Sequence, residues 1–340
     1  TTVRNAVSAA EGGAVVANLN SHLTLQRTIL THNYSPHGGA VACAGTLTIA
    51  DSELYDNHAP TLDGTAGGAV YANLCSLTIT GSTLHGNSSG IAGAVALFSG
   101  NGTLSNSTFG GNTADTDGGA VYVAAMTSNS LGVWSCTFSD NHALNGNGGG
   151  IYVGDSFTVQ LHDSILGFNW HGTELMQTND CSGPVGSDGT NIINFKGATC
   201  TVTGSYSTED PLLGPLQDNG GLAPTFALLA GSPAIDAGVL GPCPATASTF
   251  LSKDERGVNR VIGARCDLGA YERAPCGDVN GDGSVDVSDV FFLINALFAG
   301  GPLPPGLANV SGDSTVGVAD VFFLINTLFA GGPAPSCANT

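Results

Sequence analysis

Oxygen-bearing side chains recur at regular spacing near the C-terminal end of the chain. They fall at positions 1, 3, 5, 9 and 12 of a twelve-residue segment and are Asp278, Asn280, Asp282, Asp286 and Asp289. Gly283 stands at the sharp turn of position 6, and the carbonyl of Ser284 at position 7 adds a further oxygen. Hard oxygen ligands at this spacing can surround one calcium ion. We therefore predict a calcium site in this first loop, residues 278–289.

The segment is repeated with a shift of 31, since GDVNGDGSVDVSDVFFLINALFAGGP from Gly277 returns as ANVSGDSTVGVADVFFLINTLFAGGP from Ala308. The second loop, residues 309–320, offers Asn309, Ser311, Asp313, Thr315 and Asp320. It has Ser314 where the first loop has a glycine, and it holds two carboxylates against four. Fewer charged ligands weaken calcium binding. We predict two calcium sites, the first stronger than the second.

Each loop precedes an apolar helix with a Phe pair, Phe291 and Phe292 in one copy and Phe322 and Phe323 in the other. With its duplicated loops, the region from about 277 to 333 resembles a type I dockerin, the calcium-binding module that docks onto cohesin domains outside the cell. The resemblance implies a small α-helical, calcium-folded domain. Its expected partner is a protein, either a cohesin-like receptor or a neighbouring copy of the chain.

A second repeat fills the N-terminal half. GGAV-like segments begin at residues 12, 38, 67, 92, 118 and 148, and each is followed by an apolar residue and, three positions later, Asn. These pairs are Leu30 and Asn33, Leu54 and Asn57, Leu84 and Asn87, Phe109 and Asn112, Phe138 and Asn141, and Leu166 and Asn169. A period of 25–30 residues with short alternating strands predicts a β-solenoid. Leu and Phe should fill the interior, and the Asn amides should bond from coil to coil.

The GGAV and FxxN pairs over about 12–169 resemble repeats of polymorphic outer-membrane proteins, which implies a right-handed parallel β-helix. The segments DPLLGPLQDNGG, AGSPAIDAG, DERG and CDLGAYE, from Asp210 to Glu272, resemble the end of choice-of-anchor Q surface proteins, where this region closes the solenoid. The expected fold is an all-β solenoid with a small helical module. The expected domains are the β-helix at 1–204, a cap at 205–275 and the dockerin-like domain at 276–340.

Composition narrows the choice of partners and compartment. The net charge is −19 with eight basic residues, which makes nucleic acid a poor partner, and no apolar run reaches the roughly 20 residues of a membrane span. Nine cysteines indicate an oxidising, extracellular or cell-surface setting. We predict the disulfides Cys181–Cys200, Cys243–Cys266 and Cys276–Cys337, and buried thiols at Cys43, Cys75 and Cys136.

An enzyme is the main alternative, because β-helices host many polysaccharide lyases and hydrolases. A lyase needs an Arg or Lys base near the substrate. The Arg and Lys residues before residue 253 are only Arg4, Arg27 and Lys196. A glycosidase needs two carboxylates. The acidic groups Asp51, Glu53 and Asp56, and Asp115 and Asp117, are interpreted instead as solvent-facing residues at the corners of the coils.

The sequence thus favours a secreted, non-catalytic structural or adhesion protein with no catalytic residues, displayed through a calcium-stabilised docking module. The chain begins at Thr1 without a leader, as expected of a mature product. The first repeat begins near Gly12, so little sequence precedes the first coil, and a head-to-tail filament is a further expectation. The alternative is a secreted polysaccharide-degrading enzyme targeted by its dockerin.

Overall fold

The computed structural model describes residues 1–60, 64–124, 129–172, 177–313, 315–335 and 337. Residues 2–204 form a parallel β-solenoid, as the repeat predicts, and its strands stack into three long sheets that we call faces A, B and C. The strands pair in register from coil to coil, so that Leu30, Leu54 and Leu84 are direct neighbours on face A. Equivalent positions of successive repeats therefore form rows along the solenoid axis.

Face A contains Thr2–Arg4, Ile29–Thr31, Glu53–Tyr55, Thr83–His85, Thr108–Gly110, Thr137–Ser139, Ile165–Gly167 and Ile192–Ile193. Face B contains Val15–Ala17, Val41–Cys43, Val70–Asn73, Val95–Ser99, Val121–Val123 and Ile151–Val153. Face C contains His22–Gln26, Thr46–Ala50, Ser76–Thr80, Gly102–Ser105, Asn129–Trp134, Phe157–His162 and Cys200–Gly204. The strand Cys181–Asp188 continues both faces B and C. A short sheet at one corner contains Ser88–Ser89, Thr113–Ala114, His142–Ala143 and Trp170–His171.

Alternating side chains of the three faces meet inside the solenoid. The interior cluster runs from Ala17 to Cys200, and the predicted Leu/Phe row is fully buried. Phe109 and Phe138 stack with their ring centroids 4.5 Å apart. Burial of each such side chain contributes about 1.5–3 kcal/mol, which makes this row a main source of stability.

The asparagine row forms a hydrogen-bonded ladder, as predicted. Each Nδ2 donates to the Oδ1 of the next coil, at 2.9 Å from Asn33 to Asn57 and 2.8 Å from Asn141 to Asn169. The same Oδ1 atoms also accept from backbone N–H groups, as Asn87 Oδ1 does from Asn57 N at 3.0 Å. The ladder ends at the carboxylate of Asp180, which the repeat did not predict.

The two glycines at the start of each repeat are needed for different structural reasons. The second glycine faces the carbonyl oxygen of the next coil, and a Cβ on Gly39 or Gly68 would lie 2.1 Å from such an oxygen. The first glycine has a positive φ, 67° at Gly38, which L-residues rarely adopt. Ala92 takes this place in the fourth repeat with φ 60°. Close coil stacking therefore demands glycine at the second position and only favours it at the first.

Four disulfides are present among the described residues. The three predicted bonds, Cys181–Cys200, Cys243–Cys266 and Cys276–Cys337, are confirmed. The prediction of free thiols at Cys43 and Cys75 was wrong, because these two residues form a bond between neighbouring coils, with their Cα atoms 5.7 Å apart. Cys136 is a buried thiol, as expected.

Residues 205–275, which we call the flank segment, lie along the outer side of face A. Their strands are Leu213–Gln217 paired with Thr225–Leu228 and Cys243–Pro244 paired with Phe250–Leu251, both antiparallel. Ala270 N donates to Thr137 Oγ1 at 3.0 Å, and Glu255 meets two further threonines of face A. The sequence predicts that this segment closes the end of the solenoid, whereas its contacts with Thr83, Thr108 and Thr137 lie along the side of face A.

Residues 276–340, which we call the docking module, contain helices α1, Val287–Phe298, and α2, Val318–Ala330. They pack together around Val290, Leu293, Val321 and Leu324. The module also contacts the flank segment, since Asn259 N donates to Gly281 O at 2.7 Å. At 12 and 13 residues, neither helix has the length that crossing a membrane requires.

Candidate calcium loops and docking surface

The first loop is organised by the carboxylates at its two ends. Asp278 accepts hydrogen bonds from Asp282 N at 3.0 Å and Gly283 N at 2.8 Å. Asp289, in the first turn of α1, accepts from Val279 N at 2.7 Å and from Asp286 N at 2.8 Å. Both aspartates are fully buried. The loop backbone therefore wraps around two carboxylates that water does not reach.

Burial raises the pKa of Asp278 to about 6, and the nearby carboxylates of Asp289 and Asp282 contribute to the rise. Burial also raises the pKa of Asp289. Like charges in a desolvated loop are unfavourable unless a cation compensates them. Among the described residues no basic side chain forms an ion pair with either aspartate. A bound cation would supply this compensation.

The remaining predicted ligands of the first loop lie around its rim. Asn280 Nδ2 donates to Asp282 Oδ2 at 3.0 Å, and Asp282 Oδ1 accepts from Ser284 N at 2.9 Å. Asp286 is the N-cap of α1, and its Oδ1 accepts from Ser288 N at 2.7 Å. Hydrogen bonds from Ser288 hold the pKa of Asp286 below its ordinary value. Asp286 thus begins the helix as well as standing at the ninth loop position.

The second loop repeats this geometry around one buried carboxylate. Asp320 accepts from Val310 N and Ser311 N, both at 2.9 Å, and from Gly317 N at 2.8 Å. At the rim, Asn309 Oδ1 accepts from Gly312 N at 3.1 Å and Asp313 Oδ1 from Thr315 N at 3.0 Å. Ser314 lies outside the described residues.

The hydroxyl of Ser311 gives the second loop its clearest sign of a ligand. Its Oγ atom is buried and has no hydrogen-bond partner among the described residues. A buried polar atom without a partner costs about 1–3 kcal/mol. Since Ser311 stands at loop position 3, a cation in this loop would satisfy that oxygen.

The donor sets of both loops fit calcium, because they consist of oxygen atoms at the required positions. Throughout the described ranges, no three His, Cys, Asp or Glu side chains already converge on a single point. In the first loop Asp278, Asn280, Asp282, Ser284, Asp286 and Asp289 would hold the ion. In the second loop Asn309, Ser311, Asp313, Thr315 and Asp320 would hold it.

Each helix of the docking module carries a second apolar stripe that points away from the module's core. On α1 the stripe comprises Val287, Phe291, Ile294 and Phe298, and on α2 it comprises Val318, Phe322, Ile325 and Phe329. The four phenylalanines are each 66% exposed. A helix that is apolar on both sides normally buries both. Neither stripe has a covering partner within the described chain, and we call the two stripes together the docking surface.

Sequence reasoning found only part of this surface. Of the two Phe pairs, Phe291 and Phe322 are exposed, whereas Phe292 and Phe323 pack against the module's core. Phe298 and Phe329 were missed. Their spacing of seven residues from Phe291 and Phe322 places them on the same helix face, and this signal was present in the sequence.

The fold and the loops define the class of the protein, which is a β-helix protein with a docking module built on two loops of the calcium-binding type. A family model for the right-handed β-helix region matches residues 13–204, and a model for the type I dockerin domain matches residues 276–329. The chain therefore belongs to the right-handed β-helix family and carries a type I dockerin domain. Comparison with curated proteins and with solved structures finds no match.

The dockerin assignment gives the chain its general properties. Type I dockerin domains bind calcium and dock onto cohesins, and proteins that contain them are typically extracellular or located at the cell surface. The disulfides agree with an extracellular setting. The resemblances to polymorphic outer-membrane and choice-of-anchor Q proteins stay predictions.

Proposed function

We propose that this protein is a non-catalytic extracellular β-solenoid that is attached to a cohesin-type receptor through the docking surface. The observation that carries the proposal is the pair of exposed apolar stripes, repeated at identical positions on α1 and α2. Each helix exposes four apolar side chains along one face, and exposed apolar surface of this kind marks protein interaction sites. The two calcium loops stand at the N-terminal ends of these helices and stabilise the surface.

Charge indicates the character of the receptor. Residues 276–340 contain six aspartates and no Lys, Arg or Glu. The receptor surface should therefore present an apolar centre surrounded by polar and basic groups, because complementary charges favour association.

The proposed lack of catalysis is supported by the contacts of the acidic residues considered above. Glu53 lies 3.0 Å from His85 Nε2, and Asp115 accepts from Asn145 Nδ2 at 3.1 Å. Asp117 accepts from Asn147 N at 2.8 Å. These carboxylates connect one coil with the next. The outer side of face A, from Thr83 onwards, is covered by the flank segment and is not accessible to a polymer.

Self-association is a second version of the proposal. The first coil exposes Val7, Val16 and Leu19, and its inward residues Val3 and Leu23 are only partly buried. A neighbouring copy that packs against these exposed side chains would build a head-to-tail filament. Light scattering of the full chain tests it, since a monomer at high protein concentration, with and without calcium, contradicts the filament.

Calorimetric titration of the full chain with a panel of purified type I cohesins tests the attachment. The double substitution Phe291→Ser and Phe322→Ser should weaken binding at least tenfold, because central aromatic residues carry most of an interface's binding energy. Leu240→Ser, which alters an exposed apolar residue of the flank segment, is the matched control and should leave binding unchanged. Binding that survives the double substitution would show that the stripes are not the docking surface.

A reducing-end assay with a panel of plant and microbial polysaccharides tests the proposed lack of catalysis. We expect no release of reducing ends. Turnover by the full chain would overturn this part of the proposal and favour the polysaccharide-degrading alternative.

A further inference from the structure

A cleft lies on the outer side of face C, away from the docking surface. Its floor is formed by the strands Asn129–Trp134 and Phe157–His162, and its wall by the hairpin of Cys243–Pro244 and Phe250–Leu251. Ser135 Oγ donates to Pro244 O at 3.3 Å and fixes the hairpin beside the floor. The cleft has a volume of about 560 Å³, within the range of small-ligand sites.

Aromatic rings occupy the centre of this cleft. The indole of Trp134 stacks on the imidazole of His162, with the ring centroids 3.5 Å apart and the planes 5° from parallel. Phe250, on the wall, is 64% exposed. The indole lies over Gly132, where a Cβ would come within 2.6 Å of Trp134 Nε1. The absence of a side chain at Gly132 thus leaves room for the indole to lie on the sheet.

Polar groups beside these rings have no protein partner. Among the described residues, none accepts a hydrogen bond from Trp134 Nε1, and none pairs with the side-chain amide of Gln160. On His162, Nδ1 lies 3.7 Å from Asp188 Oδ2, and Nε2 has no partner within the described chain. Burial lowers the pKa of His162 against the opposing effect of Asp188, so the imidazole is neutral at neutral pH. The cleft therefore presents a donor, an amide and a neutral imidazole.

We infer that this cleft binds a neutral glycan. A pyranose ring has apolar C–H faces that pack on an indole and hydroxyl groups that pair with an amide, an indole N–H and an imidazole. The described residues that line the cleft include no Lys or Arg to hold a phosphate or a uronate. Asp188, which is 73% exposed at the rim, repels anions. The arrangement selects uncharged sugars.

The inference does not rest on cohesin docking, because the cleft belongs to the solenoid and its wall to the flank segment. Glycan binding and cohesin binding can be lost separately. A chain that holds a glycan in this cleft and a receptor on its docking surface would connect a polysaccharide with an extracellular assembly.

Tryptophan fluorescence can report on the cleft directly. The chain has two tryptophans, and Trp170→Phe leaves Trp134 as the only one. We expect titration of this variant, in calcium, with at least one of cellohexaose, xylohexaose and mannohexaose to shift its emission saturably, whereas hexagalacturonate should leave it unchanged. No shift with any neutral hexaose at millimolar concentration overturns the inference. Tighter binding of hexagalacturonate overturns the assignment to uncharged sugars.

Calorimetry in the natural sequence background locates the binding. Trp134→Ala and Gln160→Ala should each weaken binding at least tenfold, and Trp134→Phe should retain part of it. Phe98→Ala is the matched control, because it removes a partly buried ring from face B, where Phe98 packs 5.5 Å from Tyr71. Equal losses in Phe98→Ala and Trp134→Ala, or intact binding in Trp134→Ala, contradict a site in this cleft.

Mass spectrometry of the same hexaoses after incubation separates this inference from the proposed function. Intact sugars together with Trp134-dependent binding support both the glycan site in the cleft and the proposed lack of catalysis. Cleaved sugars with the same dependence support the cleft and overturn only the proposed lack of catalysis.

Discussion

Thr83 Oγ1 lies 2.6 Å from Glu255 Oε1, although 172 residues separate them in the chain. The other carboxyl oxygen of Glu255 accepts from Thr108 Oγ1 at 2.5 Å, and Thr83 Oγ1 also lies 2.8 Å from Pro224 O. A threonine hydroxyl has one hydrogen. Thr83 can donate to Pro224 O and still bond Glu255 only if the carboxyl is protonated and donates to the threonine. A neutral Glu255 therefore satisfies the hydrogen bonds between the solenoid and the flank segment at this point.

This arrangement predicts a pH dependence. Burial raises the pKa of Glu255 from its ordinary value of 4.5 to about 8. Between these values the folded chain keeps a proton that the unfolded chain has released, so this group makes stability fall as pH rises from about 5 to 8, by about 1.4 kcal/mol per pH unit at most. Glu255→Gln should flatten the dependence in denaturant titrations. Glu209→Gln, an exposed carboxylate of the same segment, should leave it as it is. Parallel pH curves for the natural chain and Glu255→Gln would contradict a neutral Glu255.

The asparagine ladder predicts a gradient of sensitivity along the solenoid. Asn112 donates to Leu84 O at 2.8 Å and Asn141 Oδ1 at 2.9 Å, and it accepts from the side chain of Asn87 at 3.0 Å. Asn112→Ala leaves several buried groups without partners and should cost about 3 kcal/mol or more of unfolding free energy. Asn33→Ala should cost less, because two of its partners, Val3 O and Ala6 N, belong to partly exposed residues of the first coil that water can reach. Equal losses measured by chemical denaturation would contradict this gradient.

The disulfide between Cys43 and Cys75 predicts a different kind of loss. It closes a loop with a sequence separation of 32 residues. Replacing both cysteines by serine should lower the free energy of unfolding by about 2–4 kcal/mol, mainly by freeing the unfolded chain. The β-rich circular dichroism spectrum should persist, because the coils still pair through their backbones. An unchanged melting temperature would show that the bond contributes little.

Cys136 provides the matching chemical test. Burial raises the pKa of its thiol to about 12, and it donates to Trp134 O at 3.3 Å. Thiolate is the reactive form. Iodoacetamide should therefore leave the native chain unlabelled and add one group after unfolding without reductant, as counted by intact mass spectrometry. Two or three added groups would contradict the bond between Cys43 and Cys75.

The rows inside the solenoid could be predicted from sequence, because stacking forces Leu30, Asn33 and their equivalents into the same place in every coil. The bond between Cys43 and Cys75 could not. These residues occupy different places in their repeats. Cys43 ends one strand of face B, and Cys75 follows the end of the neighbouring strand, Val70–Asn73. Their proximity can be seen only once the register of face B is known.

The location of the flank segment was also beyond the sequence. Its partners on face A are threonines such as Thr83, Thr108 and Thr137, which look no different from solvent-facing residues of any strand. The cleft at Trp134 was missed for a similar reason, since its wall comes from a hairpin more than a hundred residues away. Sequence periodicity reports neighbours in adjacent coils and carries no information on such distant contacts.

Calcium should bind the two loops unequally. Four carboxylates in the first loop attract the ion more strongly than the two in the second, and the buried pair Asp278 and Asp289 gains most from neutralisation. Calorimetry should resolve a tight and a weak phase. Asp278→Ala should remove the tight phase, whereas Asp313→Ala, at a rim position of the second loop, should reduce only the weak one. Because the solenoid's core is separate from that of the module, chelator should reduce helical signal and cohesin binding and leave the β signal intact. A tighter second site, or loss of the β signal with chelator, would contradict this assignment.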